Sequence, residues 1–151
     1  MLRFAIAAAA AAALPLTLSV GAIAADPMPM MTEAAQLSWM PAQGLPPGAQ
    51  VAVLYGDPSK SGPFALRFKF PKGYSIPTHS HPTDELITVL SGRARMSFGT
   101  EANEQTAEPM TPDSFMALPA GYWHALWIDD ETVVELHSTG PFGTTLLHPA
   151  Q

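Results

Sequence analysis

The sequence predicts an all-β domain, a sandwich or barrel of short strands joined by turns. Three observations carry that prediction. Prolines number 16 and glycines 11 among 151 residues, and proline disrupts helix interiors and sheet centres alike. Beyond residue 35, short apolar runs bounded by turn residues recur at roughly 8–12-residue intervals. No stretch after that residue shows the period of a long amphipathic helix. The length suits one domain with one core.

The first element is a targeting segment. Met1-Leu2-Arg3 is a short, positively charged start, followed by the apolar run Phe4 to Ala13 and by Leu14, Leu16, Leu18 and Val20. Ala22-Ile23-Ala24 has the small-x-small pattern that signal peptidase reads. Residues 1–24 are therefore expected to be a signal peptide cleaved after Ala24 or Ala25. One arginine rather than two favours the Sec route. An uncleaved anchor is the competing reading, but Pro15, Thr17, Ser19 and Gly21 weaken such a span. The processed protein is expected in the periplasm or outside the cell, free of the membrane.

Residues 25–48 read as a flexible leader and a first strand. Asp26–Ala35 has no periodicity, Leu37–Met40 reads as a short strand, and Pro41–Gly48 is rich in turn residues. Met28, Met30 and Met31 offer thioethers suited to copper(I); an exposed, oxidisable end is the plainer reading.

Residues 49–148 form the domain proper. Val51–Tyr55 is a strand ended by Gly56-Asp57-Pro58. In Phe64–Phe70 the apolar residues Phe64, Leu66, Phe68 and Phe70 share one face and Arg67 and Lys69 the other, the period of a half-buried strand. Glu85–Leu90 reads as a buried strand closed by Ser91-Gly92. Arg93–Phe98 alternates with Ala94, Met96 and Phe98 inward. Thr100–Thr111 is polar and acidic, a surface loop or one helical turn at most. Phe115–Leu118, Trp123–Ile128, Thr132–Thr139 and Thr144–Leu147 complete the strands. Trp123 and Trp127 fall on the face of their strand opposite His124, and with Trp39 read as packing or interface residues.

Composition excludes several functions. With no cysteine, the chain has no disulfide, thiolate metal site, cysteine nucleophile or lipoprotein anchor. Lys and Arg total 7 against 13 Asp and Glu; without a basic patch, nucleic acid is not an expected partner.

The chemistry lies in histidine and carboxylate. His79 and His81 sit at i and i+2, which on a strand places both imidazoles on one face. Glu85 follows across the turn Pro82-Thr83-Asp84 and can return to the same point. Imidazoles with one carboxylate suit iron(II), manganese, nickel, copper or zinc. Taken alone, the histidine pair reads more simply as two exposed turn residues.

The surrounding residues narrow this. Gly73, five residues, His79-Ser80-His81, three residues, Glu85, six residues and Gly92 resemble the first motif of the cupin family throughout. Pro119, Gly121 and His124 fit its second motif, in which Asp113 replaces the expected glycine and Ile128 an asparagine often found there. The turn before Phe115 is therefore expected to differ. The resemblance spans roughly Val51 to Leu147. It implies a small jelly-roll barrel holding one divalent metal ion through His79, His81, Glu85 and His124. It also implies an enzyme acting on a small molecule, with dioxygenase, isomerase or lyase chemistry. The alternatives are a non-enzymatic ligand-binding or sensor module with a structural metal, or a metal carrier. A homodimer is plausible by the same resemblance.

Three further expectations come from the residues themselves. Val133, Glu135 and His137 share one strand face, Val134 and Leu136 the other. If the first face lines the barrel, Glu135 and His137 supply an acid/base pair beside the metal; otherwise that face is solvated. Arg67 and Lys69 read as a solvated face, and His148 as a surface residue.

Overall fold

A computed structural model describes residues 28–148. The signal-peptide expectation lies outside them. No helix among the described residues is long and apolar enough to cross a membrane.

The described residues form eleven strands in two antiparallel sheets, as the proline content and strand spacing predict, and the arrangement is the jelly roll that the resemblance implies. The strands are β1 (Met40–Pro41), β2 (Gln50–Tyr55), β3 (Gly62–Phe70), β4 (Ser75–Ser80), β5 (Glu85–Ser91) and β6 (Ala94–Phe98). They continue with β7 (Glu108–Met110), β8 (Phe115–Leu118), β9 (His124–Ile128), β10 (Thr132–Gly140) and β11 (Thr145–Leu146). One sheet runs β1-β2-β3-β10-β5-β8, the other β11-β4-β9-β6-β7. The longest ladder joins β10 to β3, from Thr132 opposite Phe70 to Gly140 opposite Gly62.

The core lies between the sheets. Phe64, Leu66 and Phe70 of β3 are buried, as their alternation predicts; Phe64 and Leu66 pack with Leu136, and Phe70 with Val89, Met96, Leu126, Ile128 and Val134 from both layers. Each such side chain contributes roughly 1.5–3 kcal/mol of hydrophobic stabilisation. Phe98 departs from expectation. It stands at the end of β6, partly exposed beside Tyr122, while its neighbour Ser97 is buried and bonded to Thr106 Oγ1 at 2.8 Å.

Two turns hold the layers together. Gly92, at φ +84°, packs so tightly against the Glu131 carbonyl and Thr132 that a Cβ would collide with both. Only glycine fits that conformation and that contact. Asp113 stands where the second motif expects glycine, and it adopts φ +70°. That is a conformation glycine takes freely, and aspartate tolerates it better than most residues.

Candidate metal centre

Three strand ends bring four side chains to one point inside the barrel. His79 lies within β4, His81 just past its end, Glu85 opens β5 and His124 opens β9. β4 and β9 are neighbours in one sheet, with His79 directly opposite His124. β5 belongs to the other sheet, so a shared ligand at this point would tie the layers together.

Strand β4 was not among the segments with a clear strand signal, because Ser75–Ser80 carries a proline and few apolar residues. Its register with β9 shifts between Ile76 and His79, a bulge that takes up Pro77. Proline has no N–H for the ladder, and a bulge asks for none. The Pro77 carbonyl, freed by the same irregularity, accepts a hydrogen bond from His79 Nδ1 at 2.7 Å. The turn before β9 is strapped to the first motif. Ala120 N–H donates to Asp84 Oδ1 at 2.8 Å and Gly121 N–H to the His81 carbonyl at 2.7 Å. This strapping sets where His124 emerges.

All three imidazoles present the same atom. Nδ1 of His81 lies 2.8 Å from the Gly143 carbonyl, and Nδ1 of His124 lies 3.0 Å from the Tyr122 carbonyl. A carbonyl only accepts, so each Nδ1 carries the proton and each Nε2 keeps its lone pair. One ligand nitrogen from each ring lies within 4.8 Å of the other two. Glu85 Oε2 lies 3.4 Å from His124 Nε2 and 3.7 Å from His81 Nε2.

Burial controls the charge here. It pushes the His79 imidazolium down to about 3, with neighbouring His124 adding to the effect. It pushes His124 to about 4 and lowers His81 as well. The same desolvation raises the Glu85 carboxyl to about 8. With neutral imidazoles, the approaches to Glu85 are not ion pairs, and its buried Oε2 has no hydrogen-bond partner. Three lone pairs and one orphaned carboxylate oxygen around one point fit a divalent transition metal, which neutral imidazole and carboxylate both ligate.

The centre sits in a cavity of about 100 Å³. Phe68, Phe70, Ile76, Ile87, Met96, Met110, Leu126, Val134 and Leu136 wall it, with the four candidate ligands and Leu45, Gln43 and Thr144 completing the lining. Nothing in the sequence marks Gln43 or Thr144 as site residues. The first lies in the turn-rich Pro41–Gly48 segment and the second in the last loop, and only tertiary folding brings them together.

The expected acid/base pair is corrected. Val134 and Leu136 are the β10 residues that face the cavity, so Glu135 and His137 point to the opposite, outer face. Glu135 there takes a hydrogen bond from Arg67, its partner across the ladder, and His137 Nε2 lies 2.9 Å from Glu135 Oε1. Arg67 is thus an ion-pair partner rather than a freely solvated residue. Lys69 lies over the Trp39 ring at 4.6 Å, so Trp39 packs on a side chain of β3. Trp127 lines shallow outer grooves, one of them with His148, and His148, Met28, Met30 and Met31 are exposed.

The Cupin domain family model matches residues 66–140. No curated protein matches the chain significantly in sequence. Among solved structures, the polyketide cyclase RemF from Streptomyces resistomycificus superposes with TM-score 0.70 at 14% identity, over 82% of this chain and 89% of that one. A proposed acetylacetone dioxygenase from Methylibium petroleiphilum gives 0.64 at 16% identity, over 84% and 86%. DMSP lyase DddQ from Ruegeria pomeroyi gives 0.61 at 21% identity, over 78% and 64%.

Proposed function

We propose that this chain, which belongs to the cupin family, is an exported metal-dependent enzyme acting on a small, largely apolar molecule. The observation that carries this reading is the set of three Nε2 lone pairs and the partnerless Glu85 oxygen at one end of an apolar cavity. A divalent ion bound there would supply Lewis-acid or dioxygen-activating chemistry. Residues 1–24 support export to the periplasm.

The chain's own residues do the rest. Backbone carbonyls of Pro77, Tyr122 and Gly143 fix the three rings. The apolar wall excludes water and holds the body of the substrate. A cavity of about 100 Å³ is smaller than the ~150 Å³ that accommodates benzene, so only a compact molecule, or one end of a longer one, fits inside. Gln43 and Thr144 offer the rim's hydrogen-bonding groups. Glu85, raised by burial, is the cavity's acid or base whenever it is not ligating. The names of the structural neighbours, a cyclase, a lyase and a proposed dioxygenase, support small-molecule chemistry in a cavity of this fold.

The test is turnover by metal-loaded protein against a panel of compact ketones, enols and diols, followed by oxygen consumption and product analysis. Activity that disappears in His81→Ala together with the metal is expected. Activity that survives loss of the metal would sink the reading. A second reading, a ligand-binding module with a structural metal, is favoured by one observation: among the described residues, no titratable side chain lines the cavity beyond the four candidate ligands. Chelation would then lower the melting temperature, with no turnover on any substrate.

A further inference from the structure

We infer that the segment Phe142–Leu147, beyond both histidine-bearing motifs, aims the His79/His81 pair into the metal centre, with Phe142 as a positioning residue; this rests on the metal-binding reading above.

His79 and His124 take their Nδ1 acceptors from two residues upstream, at Pro77 and Tyr122. His81 differs. It lies past the end of β4, and its acceptor is Gly143, 62 residues away in sequence. Its ring is also held from the same side. Phe142 stacks on it with centroids 4.4 Å apart and planes within 16°. A flat face and an in-plane acceptor together fix both the tilt and the rotation of an imidazole, and so the direction of its Nε2.

Phe142 is itself anchored. Its ring meets the edge of Phe64 at 5.3 Å, and its N–H donates to the Pro58 carbonyl at 2.7 Å. Further on, β11 pairs Thr145 with Ser80 and Leu146 with His79, and Leu147 N–H donates to the Thr78 carbonyl at 2.9 Å. Between these contacts, Thr144 lines the cavity. One segment therefore touches both histidines of the pair and the space a substrate would occupy.

The experiment titrates metal-free, full-length protein with Co(II), read by calorimetry and visible absorption. Phe142→Ala is expected to weaken Co(II) binding about 10–100-fold and to change the absorption spectrum. Phe142→Leu keeps apolar bulk against Phe64 but offers no flat face, and is expected to show the same loss while the metal-free melting temperature stays near wild type. Phe142→Tyr keeps the ring and restores affinity and spectrum. His137→Ala is the control: its imidazole lies on the outer face beside Glu135, away from the segment, so binding is unchanged. Wild-type affinity and spectrum in Phe142→Leu would overturn the positioning role alone. A wild type that takes up no Co(II) would instead sink this inference together with the metal-binding reading.

Discussion

Histidine meets glutamate in two places in this fold, with opposite consequences. Inside the barrel, His124 Nε2 lies 3.4 Å from Glu85 Oε2, and the side chains are 2% and 6% exposed. On the outer face of the six-stranded sheet, His137 Nε2 lies 2.9 Å from Glu135 Oε1, and the side chains are 52% and 22% exposed. Inside, desolvation lowers the histidine and raises the glutamate. Both partners therefore favour their uncharged forms, and one oxygen remains without a partner. Outside, burial also pushes the Glu135 carboxyl upward. The hydrogen bonds from Arg67 and His137 outweigh that push and hold it below its ordinary value. The outer group already has its cation. The inner group has the donor atoms for one and no cationic side chain to fill the place. The difference teaches that proximity of the two residue types does not define a metal site; burial without a counter-charge does.

The sharpest way to break this comparison is to remove one histidine from each group. His81→Ala is expected to weaken binding of a divalent transition metal by at least about 100-fold. His137→Ala should leave it unchanged, as read by calorimetric titration. Equal losses in the two variants would erase the distinction.

The next effect is thermodynamic. Metal at about 1,000 times its dissociation constant should stabilise the wild type by about 4 kcal/mol. His137→Ala should gain as much and His81→Ala little, in denaturant titrations with and without metal.

Smaller is the pH response of the metal-free protein. His79 is depressed to about 3, so its contribution is complete above its unfolded value near 6.5 and is lost as pH falls toward 3. Glu85 is raised to about 8, so its contribution is complete below about 4.5 and is lost as pH rises through 8. Metal-free Glu85→Gln should therefore exceed the wild type in stability by about 3 kcal/mol at pH 7 and match it near pH 4.5. A difference independent of pH would mean that Glu85 is not desolvated. The smallest effect belongs to the outer group. Glu135→Gln should cost only about 0.5–1 kcal/mol at neutral pH, the scale of a partly exposed ion pair.

The contrast also shows what the sequence made legible. The offsets joining Gly73, His79, His81, Glu85 and Gly92 are local, and each residue type carries its own physical reason. The fold and the place where those side chains gather could therefore be read from them. The face of β10 could not. Val133 and Val134 are both apolar, so alternation alone permitted either face inward, and only packing against Phe68 and Met96 decides for Val134 and Leu136. Asp113 misled for a related reason: the missing glycine suggested a changed turn, yet the backbone keeps the left-handed conformation with aspartate in it. Gln43, Phe142 and Thr144 lie in loops without periodicity. The relation of Phe142 and Thr144 to the site is created by the pairing of β10 with β3 and of β11 with β4, and that of Gln43 by the pairing of β1 with β2.

The most direct measurement is the metal content of the protein purified from its native compartment, wild type beside a variant carrying His79→Ala, His81→Ala and His124→Ala. The account predicts one transition metal ion per wild-type chain and none in the variant, with both proteins folded by circular dichroism. A wild type that neither carries nor takes up such an ion, or a folded variant that retains one, would contradict it.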